Sequence, residues 1–482
     1  MVFSSSIFLF YFLPVFLVVY FLADRKYKNG VALLFSLLFY GFGSPRFLLI
    51  LLSSIVVDFF LVRQINRNEK RRKLFLVLSV ILNIGLLAYF KYANFFVENF
   101  NALLSAFGAS SIMWTKVVLP IGISFFTFQK MSYSIDVYRG TSAPLKSIFD
   151  YALFIMLFPQ LIAGPIVRYN EIADQITDRR ANETIDNKIL GFYRFIIGLS
   201  KKMLIANILA EYVDKVFALS ATEMGVATAW LGIIAYTFQI YFDFSGYSDM
   251  AIGIGRMIGF KFPENFNNPY ISKSVSEFWK RWHITLGSWM MDYLYIPLGG
   301  NRKGVRRTYL NLWIVFFLSG LWHGAAWNFV AWGAYHGFFI CLDKLIKNSE
   351  FRDASKPSKF SILNSKLSVL STFLIVMIGW VLFRADTLGY AMEYIGTMFG
   401  FHGTAPVAFS NPQFVFTMIV ATFFSFFGLT KVGDKALDFF FNRQTYSSWQ
   451  CLWVGLLMVV LLVLSASFIL KGSFNPFIYF RF

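Results

Sequence analysis

Four histidines occur among 482 residues, and two of them interrupt sequence that otherwise reads as membrane. His323 lies within 309–342, a stretch without Lys, Arg, Asp or Glu. His283 lies upstream, in the aromatic segment 278–296. A polar ring in apolar surroundings costs free energy unless it is hydrogen-bonded or used. Imidazole is also the side chain best suited to move a proton near neutral pH. The pair therefore points to proton-transfer chemistry in or beside a bilayer, with helix packing as the competing reading. Around His323 the run Ser319-Gly-Leu-Trp-His323-Gly-Ala-Ala-Trp is rich in small residues, which let another backbone or a ligand approach closely. Trp322 and Trp327 also suit a membrane–water interface. His336, followed by Gly337, reads as packing, and His402, in a Gly-rich loop, is assigned no role.

Two carboxylates join the histidines as candidates. Asp243 and Asp249 sit in Tyr241-Phe-Asp-Phe-Ser-Gly-Tyr-Ser-Asp, directly after an uncharged run. A buried, unpaired carboxylate would be driven towards its neutral form. Either both acids accept hydrogen bonds from backbone amides and Tyr hydroxyls where the span bends at Gly246, or they orient a histidine or line a substrate path with Tyr247. Pro263, Asn265, Asn267, Asn268 and Pro269 then break the chain. Beyond them Phe278, Trp282, Leu286, Trp289, Tyr293 and Ile296 recur at spacings of 4, 4, 3, 4 and 3, one face of a helix, with Lys280 and Arg281 off that face. Such a helix either lies in the interface or dips into the protein and carries His283 to a cavity.

Other chemistries lack their residues. There is no H-E-x-x-H and no P-loop, and no group of histidines or carboxylates has metal spacing. Gly-Ile-Gly-Arg-Met-Ile-Gly at 253–259 misses G-x-G-x-x-G by one residue and reads as small-residue helix packing. Cys341 and Cys451 are far apart and read as small buried hydrophobes.

The elements that must position these groups are membrane helices. The chain is 57% hydrophobic and 15% charged, against roughly 25% charged in soluble domains. Apolar runs long enough for roughly 30 Å of hydrocarbon recur at 7–23, 31–45, 47–62, 74–90, 117–135, 151–167, 189–210, 224–242, 309–325, 326–342, 367–383, 412–430 and 452–470. They do not alternate as barrel strands would. The fold class is all-α: a polytopic bundle of about 11–13 membrane segments in a single domain, 1–482, with no soluble domain. The run 189–210 is weakened by Arg194, Lys201 and Lys202, and 151–167 reads as re-entrant. Met1–Ala23 has no basic residue ahead of its apolar part, so it reads as a retained span. The net charge of +18 is concentrated in short loops, which follows the positive-inside pattern and argues against a nucleic-acid partner. Loops 24–30 and 63–73 then face the cytoplasm with the N-terminus outside, and 256–307, 344–366 and 431–446 lie inside.

Six segments together carry a family resemblance. They are Pro120-Ile-Gly-Ile-Ser-Phe-Phe-Thr-Phe-Gln129, Phe158-Pro-Gln-Leu-Ile-Ala-Gly-Pro-Ile166, Tyr241–Asp249, Phe278-Trp-Lys-Arg-Trp-His283, Leu321-Trp-His-Gly324 and Phe477-Ile-Tyr-Phe-Arg-Phe482. With these, the sequence resembles the membrane-bound O-acyltransferase family, in its bacterial alginate O-acetyltransferase-like branch. The resemblance implies a helical bundle with a central funnel or tunnel in the bacterial inner membrane. It places the family's near-invariant histidine on His323 and its second histidine on His283, both catalytic, and favours the dipping-helix reading of 278–296. It implies acetyl-CoA as donor substrate with no other cofactor; Lys280, Arg281, Arg302 and Lys303 then read either as contacts for CoA phosphates or as topology and lipid-headgroup residues, and Trp282 and Trp322 as residues beside the substrate path. His323 would act as general base, and His283 would orient the thioester or stabilise the oxyanion. The implied function is O-acetylation of an exopolysaccharide through extracytoplasmic acetyltransferase partners, for which the aromatic tail 473–482 is a candidate contact. D-alanyl transfer to teichoic acid is the nearest alternative, and a transporter the rival class.

Overall fold

The computed structural model of the chain describes residues 2–220, 222–352, 365–400 and 411–472. His402 and the tail 473–482 lie outside the described residues. Within them the secondary structure is helical, and a single isolated bridge, Phe266 to Trp282, stands where any sheet would be. The protein is an all-α, polytopic membrane protein. Among the described residues, five helices are long and apolar enough to cross a bilayer by length and composition: Pro45–Arg67, Glu69–Ala106, Trp327–Ile346, Pro412–Leu429 and Ser448–Lys471. Phe8–Leu22 and Ser368–Arg384 are shorter apolar helices.

Local chemistry sets the helix ends. Pro45 occupies the first turn of Pro45–Arg67, where its missing N–H has no intrahelical partner to lose. Ser447 caps Ser448–Lys471 in a reciprocal box with Gln450. The run 151–167 does not form one span. It is split into Ile148–Met156 and Phe158–Leu161; nine residues rise only about 14 Å.

The chain divides into two compact units, one comprising Met1–Phe192 with Met250–Pro263, the other Tyr193–Asp249 with Glu264–Phe482. The first holds a buried polar network: Asp58 accepts hydrogen bonds from Ser79, Asn83 and Tyr151. The second unit contains both histidines singled out by the sequence, and its core is aromatic.

Two local expectations are corrected. The helix is not interrupted at Gly246, because Val226–Met257 is one continuous 32-residue helix. Gly246 serves close packing instead: a Cβ there would lie 2.8 Å from the Gly198 carbonyl oxygen. The segment 278–296 is not one helix either. It comprises Val275–Arg281, Ile284–Met290 and the π-turn Met291–Tyr295. The break falls at His283, whose φ of 46° is left-handed. A non-helical piece, 265–267, runs alongside and shares the backbone bonds: Ile284 N–H donates to Asn265 O (3.0 Å) and Asn267 N–H to Arg281 O (2.9 Å). The apolar register survives the break, since Phe278, Trp282, Leu286, Trp289 and Tyr293 are all buried, whereas Ile296 is exposed.

Candidate functional site

His323 is the last residue of the helix Val305–His323. Its position depends on a glycine crossing. A Cβ on Gly320 would lie 2.3 Å from Phe329 O, and one on Gly333 2.4 Å from Phe316 O. Val305–His323 and Trp327–Arg352 therefore touch backbone to backbone, as small-residue pairs permit. The small residues beside His323 admit the next helix of the same chain. At a helix C-terminus the unsatisfied carbonyls favour positive charge.

Aromatic rings hold the histidines in a series. The His323 ring packs edge-on against Trp322 (4.9 Å between centroids), Trp332 (5.0 Å) and Phe383 (5.2 Å). His283 lies on the other side of Trp322, 6.2 Å from it, and meets Phe244 at 4.7 Å. Trp332 also packs on His336, at 5.0 Å. His336 Nδ1 accepts from Trp279 Nε1 (3.4 Å). Both His283 and His323 are buried, at 1% and 7% exposure. Trp282 forms the floor of the same cluster, against Trp380 at 4.8 Å and Phe266 at 5.1 Å. The structure thus brings His283, His323, Trp282 and Trp322 together.

Burial holds His283 well below the usual imidazole range, to about 3. The residue lies between two seven-residue helices, each too short to cross a bilayer. It is neutral in any ordinary buffer.

The carboxylates are paired with cations. Asp243 and Asp249 face the three cations that weaken the run 189–210. Lys202 Nζ lies 2.7 Å from Asp243 Oδ1, with both side chains 2% exposed. Lys201 lies 2.6 Å from Asp249, and Arg194 bridges Asp249 (2.7 Å) and Glu264 (2.6 Å). Lys201 and Lys202 sit on a π-turn, Lys201–Ala206, which re-aims both towards the acid-bearing helix. These cationic side chains are partners of the acids that the sequence reading did not pair with them. Tyr247 is buried on the same helix. Of the basic residues matched to CoA phosphates, Lys280, Arg302 and Lys303 are exposed. Arg281 is engaged with Glu277, at 2.9 Å.

The comparisons with known proteins bear on this arrangement. The probable alginate O-acetylase AlgI of Pseudomonas putida is 40% identical over 498 aligned residues, which cover 100% of both chains. The chain belongs to the membrane-bound O-acyltransferase family. The model of that family matches residues 143–349, a range that contains His283, His323, Asp243 and Asp249. Peptidoglycan O-acetyltransferase of Helicobacter pylori is 35% identical over 100% of this chain and 98% of its own. Teichoic acid D-alanyltransferase of Bacillus subtilis is 27% identical over 64% of this chain and 83% of its own. As a family member the protein is a multi-pass membrane acyltransferase of the O-acetyltransferase kind.

Several residues of the candidate site were not singled out in the sequence. Trp279, Trp332, Trp380 and Phe383 look like any membrane aromatics until the fold places them around the imidazoles. Asn265 reads as chain punctuation, yet its Oδ1 lies 3.0 Å from His283 Nδ1. Its non-helical setting just before the aromatic segment was the available signal, but nothing local pairs it with a residue eighteen positions later.

Proposed function

We propose that this acyltransferase takes acetyl groups from cytoplasmic acetyl-CoA and passes them across the bacterial inner membrane. They would go to extracytoplasmic acetyltransferase partners that O-acetylate an exopolysaccharide of the alginate kind. The observation that carries this reading is the full-length similarity to proteins named as O-acetylases, combined with a buried histidine at a helix C-terminus inside an aromatic cluster. His323 acts as general base on the acceptor hydroxyl. The new C–O bond forms as the oxygen attacks the thioester carbonyl. The C–S bond breaks, and the departing thiolate takes the proton from the imidazolium to leave CoA as a thiol. Lys280, Arg302 and Lys303 are exposed and would meet CoA phosphates, as lysine and arginine commonly do. Asp243 and Asp249 hold the helices that carry the site.

The D-alanyl alternative has weaker support, because the teichoic acid D-alanyltransferase match covers less of the chain at lower identity. One experiment separates the readings. The purified protein in liposomes is supplied with radiolabelled acetyl-CoA on the side of its basic loops, and labelled ester is measured on polymer or partner on the other side. His323→Ala should remain folded and transfer nothing above background. Full transfer by that variant removes the mechanism. D-alanine esters in cells, without ester-linked acetate on secreted polymer, would select the alternative.

A further inference from the structure

The neighbourhood of His283 fixes where its proton sits. Asn265 is fully buried, and its Oδ1 has three neighbours: His283 Nδ1 at 3.0 Å, Thr285 Oγ1 at 2.9 Å and the Thr285 backbone N–H at 3.3 Å. A backbone N–H can only donate, so the Asn265 atom facing it must be the carbonyl oxygen and the amide cannot be flipped. A carbonyl oxygen only accepts. The His283 Nδ1 facing the same oxygen must therefore carry the hydrogen. Because burial keeps the ring neutral, the second nitrogen, Nε2, is a bare lone pair. That atom is buried and has no hydrogen-bond partner among the described residues. The ring contacts of His283 are Phe244 and Trp322, neither of which titrates.

The backbone supports the same point. His283 adopts a left-handed φ of 46°, a conformation that L-residues rarely adopt. The Asn265 main chain holds it there by accepting from Ile284 N–H while the side chain takes the ring. One residue thus sets both the direction and the tautomer of the imidazole.

We propose that Asn265 is a positioning residue that locks His283 with its proton on Nδ1, so that Nε2 presents a lone pair to an O–H or N–H donor of the bound substrates. This rests on the acyl-transfer reading and revises one part of it. A ring in this tautomer cannot donate to an oxyanion. It holds a hydroxyl or amide hydrogen of the acceptor or of the pantetheine arm, and the oxyanion must be met by other groups. The arrangement follows the general logic of an imidazole whose tautomer is set by the partner of its other nitrogen.

The direct test is independent of activity. The protein is labelled with ¹⁵N-histidine, and the His283 signals are assigned by difference with His283→Asn, since only four histidines are present. Asn is chosen because it tolerates the left-handed region. The expected result is a protonated Nδ1 and an unprotonated Nε2 from pH 5 to 8. A protonated Nε2 overturns the proposal. Finding the expected tautomer in a protein that transfers no acetyl would instead overturn the function and leave this assignment standing. Two variants test the consequence. Asn265→Ala removes the acceptor and should lower kcat by about 10²-fold, the scale of a positioned proton-handling group. Asn265→Asp keeps every acceptor contact but places a negative charge beside the ring. It should retain activity at high pH while shifting the acid limb of kcat upwards, because the carboxylate favours the imidazolium. If both variants merely lower the yield of folded protein, with kcat per folded molecule and the pH profile unchanged, Asn265 is structural only and the proposal fails.

Discussion

The buried pair Lys202–Asp243 offers the sharpest test of what the acids near the site do. Each side chain is 2% exposed and the charged atoms lie 2.7 Å apart. Two opposed effects decide the outcome. Taking both charges out of water is costly, so the intact pair need not stabilise the fold relative to apolar residues of similar size. Removing one partner strands the other charge, which is strongly destabilising, by roughly 3–5 kcal/mol. Lys202→Met alone and Asp243→Leu alone should each lose most of the folded protein. The double variant, Lys202→Met with Asp243→Leu, should recover to within about 1–2 kcal/mol of the parent, giving a coupling of several kcal/mol in a double-mutant cycle. The assay is residual monodisperse protein after graded heating in detergent, followed by acetyl transfer per folded molecule. If the pair only joins Val226–Met257 to the π-turn Lys201–Ala206, the double variant also transfers acetyl at a rate close to the parent. Single variants that fold as well as the parent would refute the stability argument. A double variant that is stable but inactive would refute the structural role and return Asp243 to the substrate path.

Three further outcomes follow from the geometry. Gly320→Ala places a methyl group 2.3 Å from Phe329 O; it should displace the end of the histidine helix and abolish transfer, whereas Gly85→Ala, with open space around it, should be neutral or stabilising by up to about 1 kcal/mol, both read by thermal stability and activity. Gly246→Ala meets Gly198 O at 2.8 Å and should destabilise the protein more than Gly85→Ala does, in the same heating assay. His283 is held to about 3 when folded but titrates near 6.5 when unfolded. The unfolded chain therefore binds a proton that the folded one refuses. This site's contribution to stability is present above about pH 6.5 and is lost as pH falls towards 3. His283→Asn should flatten that part of the stability profile, and an unchanged slope would refute the burial argument.

Much of the candidate site was legible in the sequence because its clues are local. Hydrophobic runs mark helices wherever they occur, and a histidine within uncharged sequence is conspicuous without any partner. His323 and His283 were found that way, and the apolar register of 278–296 survived even though the helix itself broke. The helix runs unbroken through Gly246; a glycine serves a tight helix crossing as readily as a kink, and only the neighbour at Gly198 reveals the crossing. Arg194, Lys201 and Lys202 weakened one run, while Asp243 and Asp249 stood out in another. That these anomalies neutralise each other became visible only when the two segments lay side by side.

The sequence by itself determined the helical membrane class of the protein and made two imidazoles in apolar sequence conspicuous, since these follow from the type and spacing of neighbouring residues. The tertiary structure alone decided which charges cancel, why His283 leaves the helix, and on which nitrogen its hydrogen sits. Those outcomes depend on groups distant in sequence that become neighbours only in the fold. An ion pair, a left-handed residue and a tautomer each take their free energy from that partner.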